Sequence, residues 1–117
     1  MKFTTIKLLL PFAIVILILT GCDLQKQADQ QFGDQHYKTA ISLIELHKLR
    51  FGEYPNSLSE LKYTGDWDQI ALQSVKYNKV NEGYTLTVIR GWVGKPELDY
   101  PEEFWQGLGI ILPKNTD

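Results

Sequence analysis

Between Tyr37 and Phe51 the apolar residues return at helical spacing, and at Gly52 the pattern stops. At about 100° per residue, Tyr37, Ala40, Ile41, Ile44, His47 and Phe51 fall within one broad stripe, the face with which a helix packs on a core. A helix from about Gln35 to Phe51 therefore requires a second layer to cover it. Leu46 and Leu49 fall on the other side, so either a loop of the same chain or a partner must cover them. Gly52 suits a C′ position, Lys48 and Arg50 suit the negative end of the helix dipole, and Pro55 prevents a restart.

The second layer is readable further on. "NSLSEL" offers a short second helix, with Ser57 and Glu60 at capping-box spacing and Leu58 and Leu61 facing one way. "KYTGDWDQIALQ" reads as irregular, with Gly65 and two Asp marking a turn. Val75, Tyr77 and Val80 then alternate with polar residues, "NEG" makes a turn, and Tyr84, Leu86 and Val88 alternate with Thr85 and Thr87. That is an antiparallel hairpin. The segment "VGKPELDYPEEF" reads as a loop, and "GIILP" as a last strand. One long N-terminal helix packed on a small antiparallel sheet is an α+β architecture, because so small a sheet is marginal alone and the helix supplies the other half of the core.

Upstream of the helix, Met1 to Thr20 has the three parts of a secretory signal: Lys2 and Lys7, an apolar run from Leu8 to Leu19, and small residues at its end. The run is interrupted by Pro11 and is shorter than the roughly 20 residues a spanning helix needs. It ends in Leu19-Thr20-Gly21-Cys22, which resembles at every position the lipobox of bacterial lipoproteins. The resemblance implies diacylation of the Cys22 thiol, cleavage after Gly21 and acylation of the freed amine with chains of the palmitate type. Several acyl chains, at about 0.8 kcal/mol per buried methylene, would anchor the chain firmly without spanning the bilayer. The implied location is the bacterial envelope, facing the periplasm. In enterobacteria an Asp directly after the modified Cys resembles an inner-membrane retention signal, and Asp23 stands there; elsewhere the rules differ, so inner and outer membrane both stay open.

Cys22 is the only cysteine, so no disulfide can support the domain. Cleavage after Gly21 would leave 96 of the 117 residues, enough for one domain. It would also remove two of the 12 basic residues and none of the 14 acidic ones, taking the net charge from −2 to −4. Acidic balance without a basic cluster argues against nucleic acid as partner. The expected organisation is a signal at 1–21, a polar tether at 22–34 rich in Gln and Asp, and a single α+β domain at 35–117.

The stretch "ISLIELHKLRFGEYPNSLSEL", a helix closed by Gly-x-Tyr-Pro and then Ser-Leu-x-x-Leu, resembles the head domains of type IV pilins and type II secretion pseudopilins. Gly52, Tyr54, Pro55, Leu58 and Leu61 occupy the matching positions, and "GYTLTV" matches loosely. The resemblance implies that the Tyr-Pro turn closes the helix and that the following leucines fasten the loop to it. The chain departs from that family in two respects. It ends its signal in a lipobox rather than in the hydrophobic stem through which pilins assemble, and it lacks the calcium loop of major pseudopilins.

Catalytic signals are sparse. His36 and His47 are the only imidazoles, eleven positions apart, and lack H-E-x-x-H spacing. Neither G-x-S-x-G nor a P-loop is present. No enzymatic activity, cofactor or metal is expected. The acids Glu97, Asp99, Glu102 and Glu103 have oxygen ligands for calcium in no EF-hand order, and a charge run of this kind is usually a solvated loop. Trp67, Trp92 and Trp105 lie in or beside expected loops, and Trp is enriched at interface hot spots. Trp105, its neighbour Phe104, and Trp92 are the candidate partner-binding residues. The expectation is a membrane-anchored, non-enzymatic protein-binding lipoprotein, an accessory of a pilus or secretion apparatus, the alternative being a periplasmic immunity protein that neutralises a toxin.

Overall fold

A computed structural model describes the backbone from residue 2 to residue 113 and the side chains from residue 23 to residue 113. The segment expected as a signal, 1–21, and the Cys22 side chain lie outside the described side chains. Helix α1 spans Lys2–Phe51. A single 3₁₀ turn at Leu58–Glu60 and helix α2 at Asp66–Gln73 follow. Strands β1, Val75–Val80, and β2, Gly83–Val88, come next, with a second 3₁₀ turn at Glu102–Trp105. Among the described residues no helix is long and apolar enough to cross a membrane.

The stripe on α1 makes the core. Tyr37, Ala40, Ile41 and Ile44 are buried against Tyr54, Leu72, Val75, Tyr84, Leu86 and Val88, which joins helix, hairpin and α2 in one cluster. The fold is α+β, with the long helix covering one face of a two-stranded antiparallel sheet. Phe51 is exposed, because the chain leaves the helix there; its ring packs against His47 at 4.7 Å between centroids. Gly52 takes a φ of 82°, which lets its N–H reach back to the Lys48 carbonyl at 2.9 Å while the Lys48 ammonium donates to the Gly52 carbonyl at 2.8 Å. That is the expected glycine stop. Pro55 is fully buried, and Leu58 and Leu61 are half-buried against the core, so the Tyr-Pro turn and both leucines fasten to α1.

Beyond the Tyr-Pro turn the structure differs from expectation in four places. Ser57 caps nothing: its hydroxyl pairs with that of Ser59, and the segment is one 3₁₀ turn whose Glu60 carboxylate accepts the Asn56 N–H at 2.9 Å. The segment expected to be irregular contains α2, because the Asp68 carboxylate reaches back one turn to accept the Gly65 N–H at 2.7 Å. Gly65 and its acids mark a helix start rather than a turn. In β1 the inward residues are Val75, Tyr77 and Lys79, which puts Val80 on the solvent side. The last apolar segment makes only a parallel bridge from Ile110 to Tyr84 in place of a strand.

The hairpin is in register from Val75↔Val88 to Val80↔Gly83. Asn81, at φ 53°, takes the left-handed conformation its turn needs, which Asn tolerates better than most residues. At the other end of α1, the run expected as a tether with a helical later part is helical, and two of its residues are buried: Asp29 and Gly33. A Cβ on Gly33 would collide with the Pro96 ring, so glycine in the middle of a helix marks close approach of a loop.

Candidate functional site

Beyond β2 the chain has almost no repetitive structure, and helix α1 holds it in place with three carboxylates. Asp29 Oδ1 accepts the backbone N–H groups of Trp92, Val93 and Gly94 at 2.9, 2.7 and 2.9 Å. The Val93 N–H bond is the main influence holding this carboxyl below the ordinary Asp value; partial burial opposes it, and the Gly94 and Trp92 N–H groups add to it. Burial pushes Asp34 up, but the Tyr100 hydroxyl at 2.7 Å and the Lys38 ammonium at 3.0 Å outweigh it, and the carboxyl lies below its usual value. Glu45 takes the Tyr54 hydroxyl on one oxygen at 2.9 Å. Its other oxygen takes the Tyr84 hydroxyl at 2.7 Å and the Gly109 N–H at 3.2 Å.

These clamps leave a groove of about 780 Å³ between β2 and the segments 95–100 and 110–113. Its floor is Tyr37, whose hydroxyl donates to the Leu86 carbonyl at 3.3 Å and whose pKa burial pushes up to about 12. Beside it Tyr37 and Tyr100 stack at 5.8 Å, and Trp105 meets both edge-on. Burial, followed by the bond to Asp34, raises Tyr100 as well, so both hydroxyls remain donors at neutral pH.

The wall formed by β2 is an open strand edge. Tyr84 gives its N–H to Gly109 and accepts from Ile111, so both of its main-chain groups point away from β1. By the two-residue alternation of an antiparallel ladder, Leu86 and Val88 point the same way, into the groove. Among the described residues, the backbone bonds that close this edge stop at Tyr84. Ile111 and Leu112 stand exposed along the facing wall. The groove thus offers apolar contact together with the Leu86 N–H and the main-chain groups of Val88, the Leu86 carbonyl already accepting from Tyr37.

Of the expected partner-binding residues, Phe104 and Trp105 are together: their rings meet edge-on at 4.9 Å, and Phe104 stacks on Tyr100 at 4.1 Å. Both are half-buried and packed on the core, and only Trp105 lines the groove. Trp92 is apart from them, 57% exposed on the loop that Asp29 clamps. Trp67 stands exposed on α2. Leu49 is 82% exposed, with nothing among the described residues covering it, whereas Leu46, at 38%, is partly covered and shares a cleft with Leu61 and Tyr63.

His36 lies beside Phe32. Burial lowers it below its usual 6.5, the Gly91 backbone opposes this and the Arg90 charge adds to it. His47 is half-buried, and its Nδ1 has no partner among the described residues. Among the described residues no three His, Cys, Asp or Glu side chains converge as metal ligands, the acids of 97–103 included.

Sequence patterning did not single out Asp29, Asp34, Glu45 or Tyr100. The one local sign was the "GWVG" tetrapeptide, whose two glycines frame three successive free N–H groups; the acceptor lies more than sixty residues earlier. No protein-family model, curated protein or solved structure matches the chain.

Proposed function

We propose that the chain is a lipid-anchored, non-enzymatic binding module, held at Cys22 on the periplasmic side of a bacterial membrane, that takes an extended segment of a partner protein along β2. The observation that carries the binding reading is the groove in which Leu86 and Val88 present main-chain groups between apolar walls. Strand addition fits such an edge: main-chain bonds supply affinity, and alternate side chains of the incoming segment select among partners. The anchor reading rests on Leu19-Thr20-Gly21-Cys22 following the apolar run. Holding the module at a membrane surface raises its effective concentration for a membrane-bound partner. The likeness of the helix and Tyr-Pro turn to pilin heads favours a component of a pilus or secretion apparatus as that partner.

The test is a photo-crosslinking side chain placed at Thr87, in the groove, and separately at Leu49, outside it. In native membranes Thr87 gives a discrete adduct that is lost when Cys22→Ser, placed behind a cleavable signal in exchange for residues 1–21, releases the protein, and Leu49 does not. Equal adducts from both positions, or none from Thr87, would refute the groove as the binding site.

A further inference from the structure

The part of the domain nearest residue 22 carries its own exposed apolar surface, separate from the groove. Asp29 is seven residues past Cys22, about 10 Å along a continuous helix. The segment Lys95 to Glu97 lies closer still, lining a cleft with Gln25, Lys26 and Gln30. The Asp29 carboxylate takes the three N–H groups at the loop tip, and Gly91 donates to the Gly94 carbonyl at 2.8 Å, so the polar backbone of the tip is turned inward. Gly91 is pressed against the helix backbone at Asp29, where a Cβ would collide with the Asp29 carbonyl. What remains outside is side chain: Trp92 is 57% exposed and Val93 60%.

The surface extends onto the helix. Phe32 is exposed and packs against His36, four residues on along the same helix. Leu24, also exposed, lies about 80° from Phe32 around the helix and two residues from Cys22. Lys26 and Lys95 line the cleft beside Asp29, together with Glu97, and Arg90 directly precedes Gly91. Trp beside cations is the composition of surfaces that rest at a membrane interface, where the indole sits among headgroups and lysine or arginine meets phosphate. The remaining large exposed group, Leu49, Tyr63 and Trp67, is at the other end of α1. Leu49 lies about 40 Å along the axis from residue 22.

We infer that the loop Gly91–Gly94, presented by Asp29, rests in the phospholipid headgroup layer beside the Cys22 anchor and fixes the tilt of the domain on the membrane. This rests on the anchor reading above. The two contacts together do what neither does alone. Acyl chains hold one point and leave the domain free to swing, whereas a second contact some 10 Å away selects one orientation and so aims the groove.

The experiment uses the protein extracted from its native membrane, with acylation of Cys22 checked by mass spectrometry. It is then reconstituted into phosphatidylethanolamine and phosphatidylglycerol vesicles whose acyl chains carry bromine, a short-range quencher of Trp fluorescence. The acylated wild type loses part of its emission, and that loss disappears in Trp92→Phe while persisting in Trp67→Phe. Both residues are exposed, so neither substitution disturbs the core. An acylated protein whose Trp92 emission is unquenched overturns the inference while leaving the anchor in place, and assigns the patch to a protein contact. A Cys22 without acyl chains removes the anchor reading and this inference with it.

Discussion

Replacing Glu45 by Ala tests the central joint of the domain. The carboxylate accepts from Tyr54, Tyr84 and Gly109, so it ties α1 to the Tyr-Pro turn, to β2 and to the C-terminal wall of the groove. Tyr84 is fully buried and Tyr54 nearly so, and in Glu45→Ala both hydroxyls lose their acceptor. A buried donor left without a partner costs about 1–3 kcal/mol. Glu45 itself is half-exposed, so water can enter the space it vacates, which places each tyrosine toward the lower end of that range. Adding the weaker Gly109 bond gives a loss of about 3 kcal/mol. For a domain of this size that lowers Tm by about 15 °C. Glu45→Gln keeps one acceptor and should lose about half as much, since bonds to a charged acceptor are roughly twice as strong as neutral ones.

Urea unfolding followed by circular dichroism measures these losses, and a double-mutant cycle with Tyr84→Phe isolates the pair. In the wild type Tyr84→Phe should cost about 1.5 kcal/mol, the lower end for a bond to a charged partner. In Glu45→Ala it should cost close to nothing, because the hydroxyl no longer has an acceptor. Equal costs in the two backgrounds would refute the joint, as would a Glu45→Ala loss below about 1 kcal/mol, the worth of a single ordinary hydrogen bond.

Ile44→Ala removes a fully buried side chain at the centre of the cluster and should lower stability by about 2–5 kcal/mol in the same titration. Leu49→Gln alters a side chain that is 82% exposed and should change stability by less than about 0.5 kcal/mol; a larger loss would mean that something covers this position. Asp29→Asn should act through pH. The carboxyl lies below its ordinary value of 3.8 in the folded chain, so its stabilising effect is present above 3.8 and is lost as pH falls through 3.8 toward the lower folded value. The Tm gap between wild type and Asp29→Asn is therefore widest near neutrality and narrows in acid, and a gap that stays constant down to about pH 2 would show that the charge on Asp29 plays no part.

Local signals were legible wherever one residue's neighbours in sequence are also its neighbours in space. The stripe from Tyr37 to Ile44, the stop at Gly52 and the alternation of Tyr84, Leu86 and Val88 are all repeats of three or four residues, or of two, and each stands where its period placed it. Helix α2 was missed because Gly65 and the two Asp of "TGDWD" have the composition of a turn; only the reach of Asp68 back to the Gly65 N–H distinguishes a helix start. Trp105 and Phe104 were expected at a surface because they follow an acidic run, but Tyr100 and Tyr37 supply aromatic faces that draw them half into the core. Trp92 had the same sequence credentials and stayed outside, since the groups that position its loop are main-chain N–H donors that leave its indole free.

The half of the candidate site that periodicity could not reveal has a common cause. Residues 92–94, Tyr100 and Gly109 attach in that order to Asp29, Asp34 and Glu45, so a stretch of 18 residues, Trp92 to Gly109, runs along α1 in the helix's own direction. Asp29 and Glu45 are about 24 Å apart on the axis, a distance that stretch covers without being extended. A segment fixed in this way does not need an alternating or helical pattern of its own, because the spacing of acceptors on the helix determines its path. The same arrangement explains why β2 keeps an open edge. A third strand would satisfy Val88 and the Leu86 N–H, whose carbonyl Tyr37 already engages, but the returning chain spends its bonds on the carboxylates of α1 and meets β2 only at Tyr84. The helix thus holds apart the two walls of the groove. Loss of Glu45 should therefore weaken crosslinking at Thr87 under conditions where the domain remains folded, and leave lipid contact at Trp92, which depends on Asp29, unchanged.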